Sequence, residues 1–186
     1  MGMAGRSLGL FGRVASIMLV SPQIPQNTGN VGRTAMGMGC PLHLVGNLGF
    51  SLDEKALRRA GLDYWKHLEV SHHASYDAAL DAIAADTRMF FITKTGPASL
   101  LDTSFFADAP QPTAARPDDD RICLVFGSEI TGLGDLLERF PHSTDAGGVQ
   151  HVRVPQIDTH IRCYNLASTV SLVTWEAYRQ FHCALE

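Results

Sequence analysis

Five apolar residues stand in a row at Ile122-Cys123-Leu124-Val125-Phe126, with Arg121 before them and Gly127 after. Successive side chains of a strand point to opposite faces, so a half-solvated strand alternates polar and apolar residues. A run without alternation has both faces covered. That places it at the centre of a parallel sheet with helices above and below. Ile17-Met18-Leu19-Val20 and Leu42-His43-Leu44-Val45 read as further strands, as do 67–70, 88–93 and 151–154. Helical stretches separate them: a Gly-rich one over 28–38, a short one over 53–60, an Ala-rich one over 76–85, a short one over 135–140 and a long one over 164–181. In the 53–60 stretch, acids come first, Lys55, Arg58 and Arg59 come late and Gly61 follows, as a helix dipole and its C-cap require. The alternation predicts an α/β domain with a mainly parallel sheet flanked by helices.

At 186 residues the chain has the length of one domain. Residues 1–15 are expected as a flexible N-terminal extension and 16–186 as the domain. The first 52 residues hold no Asp or Glu but do hold Arg6, Arg13 and Arg33. A targeting role for 1–15 is therefore the alternative to a cytoplasmic location. The four cysteines, Cys40, Cys123, Cys163 and Cys183, form no C-x-x-C pair, and the histidines form no H-x-x-x-H pair. Reduced thiols and no metal are expected. No apolar run approaches the roughly 20 residues of a membrane span, so no membrane partner is expected. Fifteen Lys and Arg against nineteen Asp and Glu leave a net charge of −4. That excludes a wholly cationic surface but not a local basic patch.

In open α/β sheets, ligands sit outside the carboxyl ends of the strands. Two Gly-containing segments, 94–97 and 127–134, leave such ends. The second is neither a P-loop, since no G-K-[ST] closes it, nor a G-x-G-x-x-G turn. It suits either backbone contact with an adenine or ribose edge, or a plain tight turn. Cys163 reads as a nucleophile or, more simply, as a small buried residue at a helix start. Lys55, Arg58 and Arg59 suit a phosphate backbone or a solvated face. Tyr64 and Trp65 could stack on bases or pack. In the last helix, Leu166, Val170, Val173, Ala177 and Phe181 form one stripe, and Leu172 and Trp175 lie off it. A second apolar face needs a second partner, either another copy of the chain or deeper burial within it.

Three segments together resemble the motifs of the SPOUT-class RNA 2′-O-methyltransferases. They are Pro22-Gln23-Ile24-Pro25-Gln26-Asn27-Thr28-Gly29-Asn30-Val31-Gly32-Arg33-Thr34, Phe126-Gly127-Ser128-Glu129-Ile130-Thr131-Gly132-Leu133, and Val154-Pro155 through Arg162-Cys163-Tyr164-Asn165-Leu166-Ala167-Ser168. Leu57-Arg58-Arg59-Ala60-Gly61-Leu62-Asp63-Tyr64 is similar to a stretch of the small tRNA (cytidine/uridine) enzymes acting at the anticodon wobble base. The resemblance runs from about Ile17 to Phe181. It implies a C-terminal trefoil knot, a homodimer and S-adenosylmethionine (AdoMet) as cofactor. By position it implies Arg33, Asn27, Glu129 and Asn165 as catalytic residues. The cofactor residues it implies are Ile92, Thr93, Gly127, Glu129, Leu133, Val154, Ile157, Cys163 and Asn165. RNA contacts would come from Arg33, Lys55, Arg58, Arg59 and Arg162. The sequence departs from the pattern at Cys163, where the family has serine. It departs again at Ser128-Glu129-Ile130-Thr131, where the subfamily has Pro-Glu-Thr-Arg. The expected activity is methyl transfer to a tRNA ribose 2′-OH. The alternatives are an RNA-binding relative without catalysis, an rRNA target, or an unrelated flavodoxin-like nucleotide binder.

Overall fold

The computed structural model describes residues 10–52, 63–106, 121–145 and 147–184. The chain runs through β1 (Ala15–Val20), α1 (Pro25–Met38), β2 (Leu42–Val45), a 3-10 turn (Asp63–His67), β3 (Val70–His73) and α2 (Tyr76–Ala82). It continues through β4 (Arg88–Ile92), β5 (Ala98–Ser99), β6 (Ile122–Phe126), α3 (Leu136–Arg139), β7 (Gln150–Arg153) and α4 (Leu166–Ala184). The strands form one sheet in the order β3-β2-β1-β6-β4-β7-β5, and every pair is parallel. All five residues of β6 are buried, and it lies between β1 and β4. The unalternating sequence of that strand required such a position.

Side chains of successive residues divide the core between the two faces. Ile17, Leu19, Phe90, Ile92, Leu124 and Phe126 pack with Val31 and Ala35 of α1 and with Val170, Val173 and Ala177 of α4. Met18, Met89, Phe91, Cys123 and Val125 pack on the other side with Tyr76 and Ala79 of α2 and with Leu136 of α3. Residues 10–14 are helical and put Phe11, which is fully buried, against Tyr178 and Phe181 of α4. The extension expected over 1–15 otherwise lies largely outside the described residues, as do the helix over 53–60 and the loop over 107–120. Among the described residues, no helix is long and apolar enough to cross a membrane.

The sheet departs from the sequence reading at its edges. The strand expected over 67–70 is Val70–His73, because Trp65 and Leu68 are anchored in the core and keep 63–67 as a turn. Strand β3 is an edge with Ser71 and His72 exposed and none of its residues buried, and Val-Ser-His-His carries no apolar pattern. The two-residue β5 at the opposite edge carries none either. Helix α1 starts at Pro25, not at 28, since proline suits a first helical position where no N–H is needed.

Glycine inside a helix is worse than alanine by roughly 0.5–1 kcal/mol, yet α1 holds Gly32 in its middle. A Cβ at Gly32 would stand 2.7 Å from Cζ3 of Trp65 and 3.1 Å from Cδ2 of Leu68. The bare backbone is what admits the indole. Gly32→Ala raises helix propensity but overpacks this contact, and overpacking typically costs about 1–3 kcal/mol. Urea unfolding should therefore show Gly32→Ala less stable than the parent. Unchanged or increased stability would contradict the close approach.

Candidate active site

The sheet order puts β1, β6, β4 and β7 side by side. The segments that follow them are 21–34, 127–134, 93–97 and 154–165, so all of the motif segments leave four neighbouring strand ends. Strand order also reverses here, with β2 and β3 to one side and β4 to the other. The carboxyl ends at such a reversal form the crevice in which an open α/β sheet binds ligand.

Helix α1 begins without a capping side chain of its own, since Ile24 occupies the N-cap. Glu129, from the loop after β6, supplies an anion to that positive end. Its Oε2 accepts the Gln23 N–H at 2.8 Å, and its Oε1 accepts the Ile24 N–H at 3.2 Å. The Asn27 side-chain Nδ2 donates to the same Oε1 at 2.9 Å. Asn27 is 7% exposed and uses its other end too: Oδ1 accepts Nδ2 of Asn165 at 2.9 Å. Asn165 in turn caps α4, its Oδ1 accepting the N–H groups of Ala167 at 2.8 Å and Ser168 at 3.3 Å. Three residues far apart in sequence thus form one hydrogen-bonded chain. It joins the starts of α1 and α4 to the loop after β6. Both oxygens of Glu129 are engaged, so its geometry is that of a clamp and not of a free proton acceptor.

The loop after β6 is folded tightly on itself. Ser128 and Gly132 exchange both backbone hydrogen bonds at 2.9 Å. Ser128 Oγ accepts the Ile130 N–H at 3.1 Å. Gly127 is needed at the loop's start, because a Cβ there would stand 2.0 Å from the Gly132 carbonyl carbon. Gly132 and Gly134 take left-handed φ of 64° and 56°, and a Cβ on either would meet nothing within 4 Å. Ile92 ends β4 beside Phe126, Thr93 follows it, Leu133 lies in the loop and Val154 follows β7; Ile92 and Leu133 are buried, in the two separate core clusters. Ile157 is wholly exposed beyond them. The open backbone at Gly132 and Gly134 beside these strand ends suits contact with a nucleoside edge, and the segment lacks the G-K-[ST] that closes a polyphosphate loop.

The segment 154–165 is held by its own bonds. Gln156 Nε2 donates to the carbonyls of Asp158 and Ile161, each at 2.6 Å. His160 donates its backbone N–H to Asp158 Oδ1 at 2.7 Å, and this bond holds the Asp158 carboxyl below its ordinary value. Cys163 lies on this segment and is exposed, which corrects its reading as a small buried residue at the helix start. Burial pushes the Cys40 and Cys123 thiols up to about 12, so those two stay protonated core groups. Arg162 is exposed on the same segment. Lys55, Arg58 and Arg59 lie outside the described residues.

Arg33 is exposed on α1, six residues beyond Asn27 and so about 9 Å along the helix. Its guanidinium carbon stands 5.3 Å from the centroid of the Tyr64 ring. Burial raises the Tyr64 phenol above its ordinary value, while the Arg33 guanidinium pulls it down. Trp65, read as able to stack or pack, packs, at 7% exposed. Sequence reasoning missed the clamp itself. Its signal was present: a helix opening on Ile24 and Pro25, with no Ser, Thr, Asp or Asn at the cap, leaves N–H groups open to an acceptor from elsewhere. Among the described residues, no cluster of three or more His, Cys, Asp or Glu could hold a metal ion.

The model of the SpoU rRNA Methylase family matches residues 15–175. A tRNA (cytidine(34)-2′-O)-methyltransferase of Polaromonas sp. is 43% identical over 167 residues, covering 89% of this chain and 90% of the relative. A structure described as giving insight into the 2-OH methylation of C/U34 on tRNA superposes with a TM-score of 0.72 at 38% identity. It covers 90% of this chain and 95% of its own. The SpoU methyltransferase AviRb of Streptomyces viridochromogenes, solved with AdoMet, shares the fold with a TM-score of 0.69 at 18% identity, over 91% of this chain and 58% of its own. With its motif segments on four adjacent strand ends and the family match spanning nearly its whole length, the chain belongs to the SpoU rRNA methylase family.

Proposed function

We propose that this protein is an AdoMet-dependent RNA methyltransferase that methylates a tRNA ribose 2′-OH at the anticodon wobble nucleotide, position 34. The hydrogen-bonded chain from Asn165 through Asn27 to Glu129 carries this reading, because it assembles the motif segments beside an exposed arginine. The names of the full-length relatives support the tRNA substrate and the position.

Ile92, Thr93, Gly127, Glu129, Leu133, Val154, Ile157, Cys163 and Asn165 would hold the cofactor, mainly through backbone groups and aliphatic walls. When bound, AdoMet supplies an electrophilic methyl group on a sulfonium. A ribose 2′-OH is a poor nucleophile at neutral pH, so the protein has to align it and let its proton leave. Alignment alone contributes several kcal/mol to such reactions. An arginine guanidinium keeps its proton under these conditions and is a poor base. Arg33 instead binds the phosphate next to the target ribose, and that phosphate or a water takes the proton. Asn27, Glu129 and Asn165 fix the helix that presents Arg33. Arg162, with Lys55, Arg58 and Arg59, adds phosphate contacts along the tRNA. Free thiols at Cys40, Cys123, Cys163 and Cys183 suit a reducing, cytoplasmic compartment. The trefoil knot belongs to the same proposal. Strand β6 enters between β1 and β4 while β7 lies on the far side of β4, which supports it.

The protein acts as a homodimer in this reading. Helices α1 and α4 run side by side, tied by a 3.0 Å contact between Thr34 Oγ1 and Ser171 Oγ. Their outer face leaves Met36, Leu172 and Trp175 at 39%, 48% and 57% exposure. Among the described residues these three side chains stay partly exposed, which supports a second copy of the chain as the partner of this second apolar face.

With methyl-labelled AdoMet and total tRNA, label should appear in 2′-O-methylcytidine or 2′-O-methyluridine of the anticodon. Arg33→Ala should abolish that label while AdoMet binding, read by calorimetry, stays within about twofold. No label in tRNA, with label in rRNA when ribosomal RNA is supplied instead, would overturn the substrate. Equal loss of AdoMet binding would overturn the role of Arg33. Sedimentation equilibrium should give a dimer for the parent and a monomer for Leu172→Glu combined with Trp175→Glu; a monomeric parent would contradict the dimer.

A further inference from the structure

Arg33 is an exposed side chain on a helix surface, and a long exposed side chain is free to sample many rotamers. Methyl transfer needs its guanidinium in one place. Tyr64 supplies the restraint at two points. Its hydroxyl donates to the carbonyl oxygen of Gly29 on α1. In an α-helix that carbonyl pairs with the N–H four residues on, which is the N–H of Arg33. The Tyr64 ring lies under the Arg33 guanidinium at 5.3 Å from carbon to centroid, within cation–π range. The next residue, Trp65, is buried against the bare backbone of Gly32. The 3-10 turn (Asp63–His67) is thereby fastened to the same helix turn that carries Arg33. A rigid anchor at Trp65 fixes the place from which Tyr64 reaches.

We propose that Tyr64 is a positioning residue for Arg33: anchored by Trp65 and by its bond to Gly29, it holds the guanidinium where the target phosphate is received. This rests on the methyltransferase reading above. The contacts of Tyr64 favour this role over base stacking: the guanidinium lies over its ring, and its hydroxyl bonds the Gly29 carbonyl and also meets the Arg33 side chain. The ring is the larger contact with the guanidinium, the hydroxyl adds a second, and the bond to Gly29 fixes the ring.

The test uses the full-length protein with Tyr64→Leu, which removes both contacts, and Tyr64→Phe, which keeps the ring. Tyr64→Leu should lower kcat for tRNA methylation at least tenfold, with the Kd for AdoMet and the KM for tRNA each within about threefold. Tyr64→Phe should recover at least a third of the parent kcat. The side-chain Nε–H proton of Arg33, observed by nitrogen-edited NMR, should be shifted upfield by the ring in the parent and in Tyr64→Phe, and should lose that shift in Tyr64→Leu. A kcat for Tyr64→Leu equal to the parent's would overturn the proposal. So would a Tyr64→Phe variant as slow as Tyr64→Leu, or a loss of AdoMet binding that matches the loss of kcat. An unshifted Arg33 resonance in the parent would overturn it independently of any activity. A parent that methylates no RNA would instead defeat the functional reading, and the NMR result would still decide whether Tyr64 orients Arg33.

Discussion

The start of α1 is an uncapped helix end, and the site is built around what satisfies it. Glu129 reaches it from the loop after β6, more than a hundred residues away in sequence, and accepts Gln23 N–H, Ile24 N–H and Asn27 Nδ2. Asn165 closes the chain from the cap of α4. Hydrogen bonds to a charged group contribute roughly 1.5–3 kcal/mol each, more than neutral ones. A half-buried carboxylate with this many donors therefore fixes its surroundings. The direction of α1, the loop after β6 and the entry to α4 all follow from it. Arg33 inherits its position from α1 and from the Tyr64 contact on the same helix.

The net charge of −4 sets how such a chain can hold RNA. Without a net positive charge, the phosphate grip falls to a few placed cations. Arg33 and Arg162 are exposed on motif segments beside the four strand ends. A dimer would present each of them twice. Binding built from few phosphate contacts weakens with salt in proportion to their number. The charge therefore constrains the manner of RNA binding.

The legible parts of the fold were those whose burial is total. Ile122–Phe126 has both faces covered, so its sequence could not alternate, and its central place followed. The edge strands were illegible for the converse reason: no residue of Val70–His73 is buried, and Ala98–Ser99 is too short to carry a pattern. The motif residues were recognisable by type and order. Their bonds were not, since Asn27, Glu129 and Asn165 lie 102 and 138 residues apart along the chain. Cys163 misled because small residues at a helix start are usually buried, whereas here the cap is Asn165 and the segment before it stands in solvent. Tyr64 and Trp65 were ambiguous for a related reason. Only the bare backbone of Gly32 shows that Trp65 packs, and only the packing of Trp65 gives Tyr64 its aim.

The most direct test is a double-mutant cycle on the clamp, using Asn27→Ala, Glu129→Ala and the pair, read by the rate of 2′-O-methyl transfer to tRNA. Residues that act as one unit show strongly non-additive losses. The two side chains here share a single 2.9 Å bond in one chain. The predicted result is a double variant no slower than the slower single variant. Losses that multiply would contradict the account and would mean that Asn27 and Glu129 serve the reaction separately.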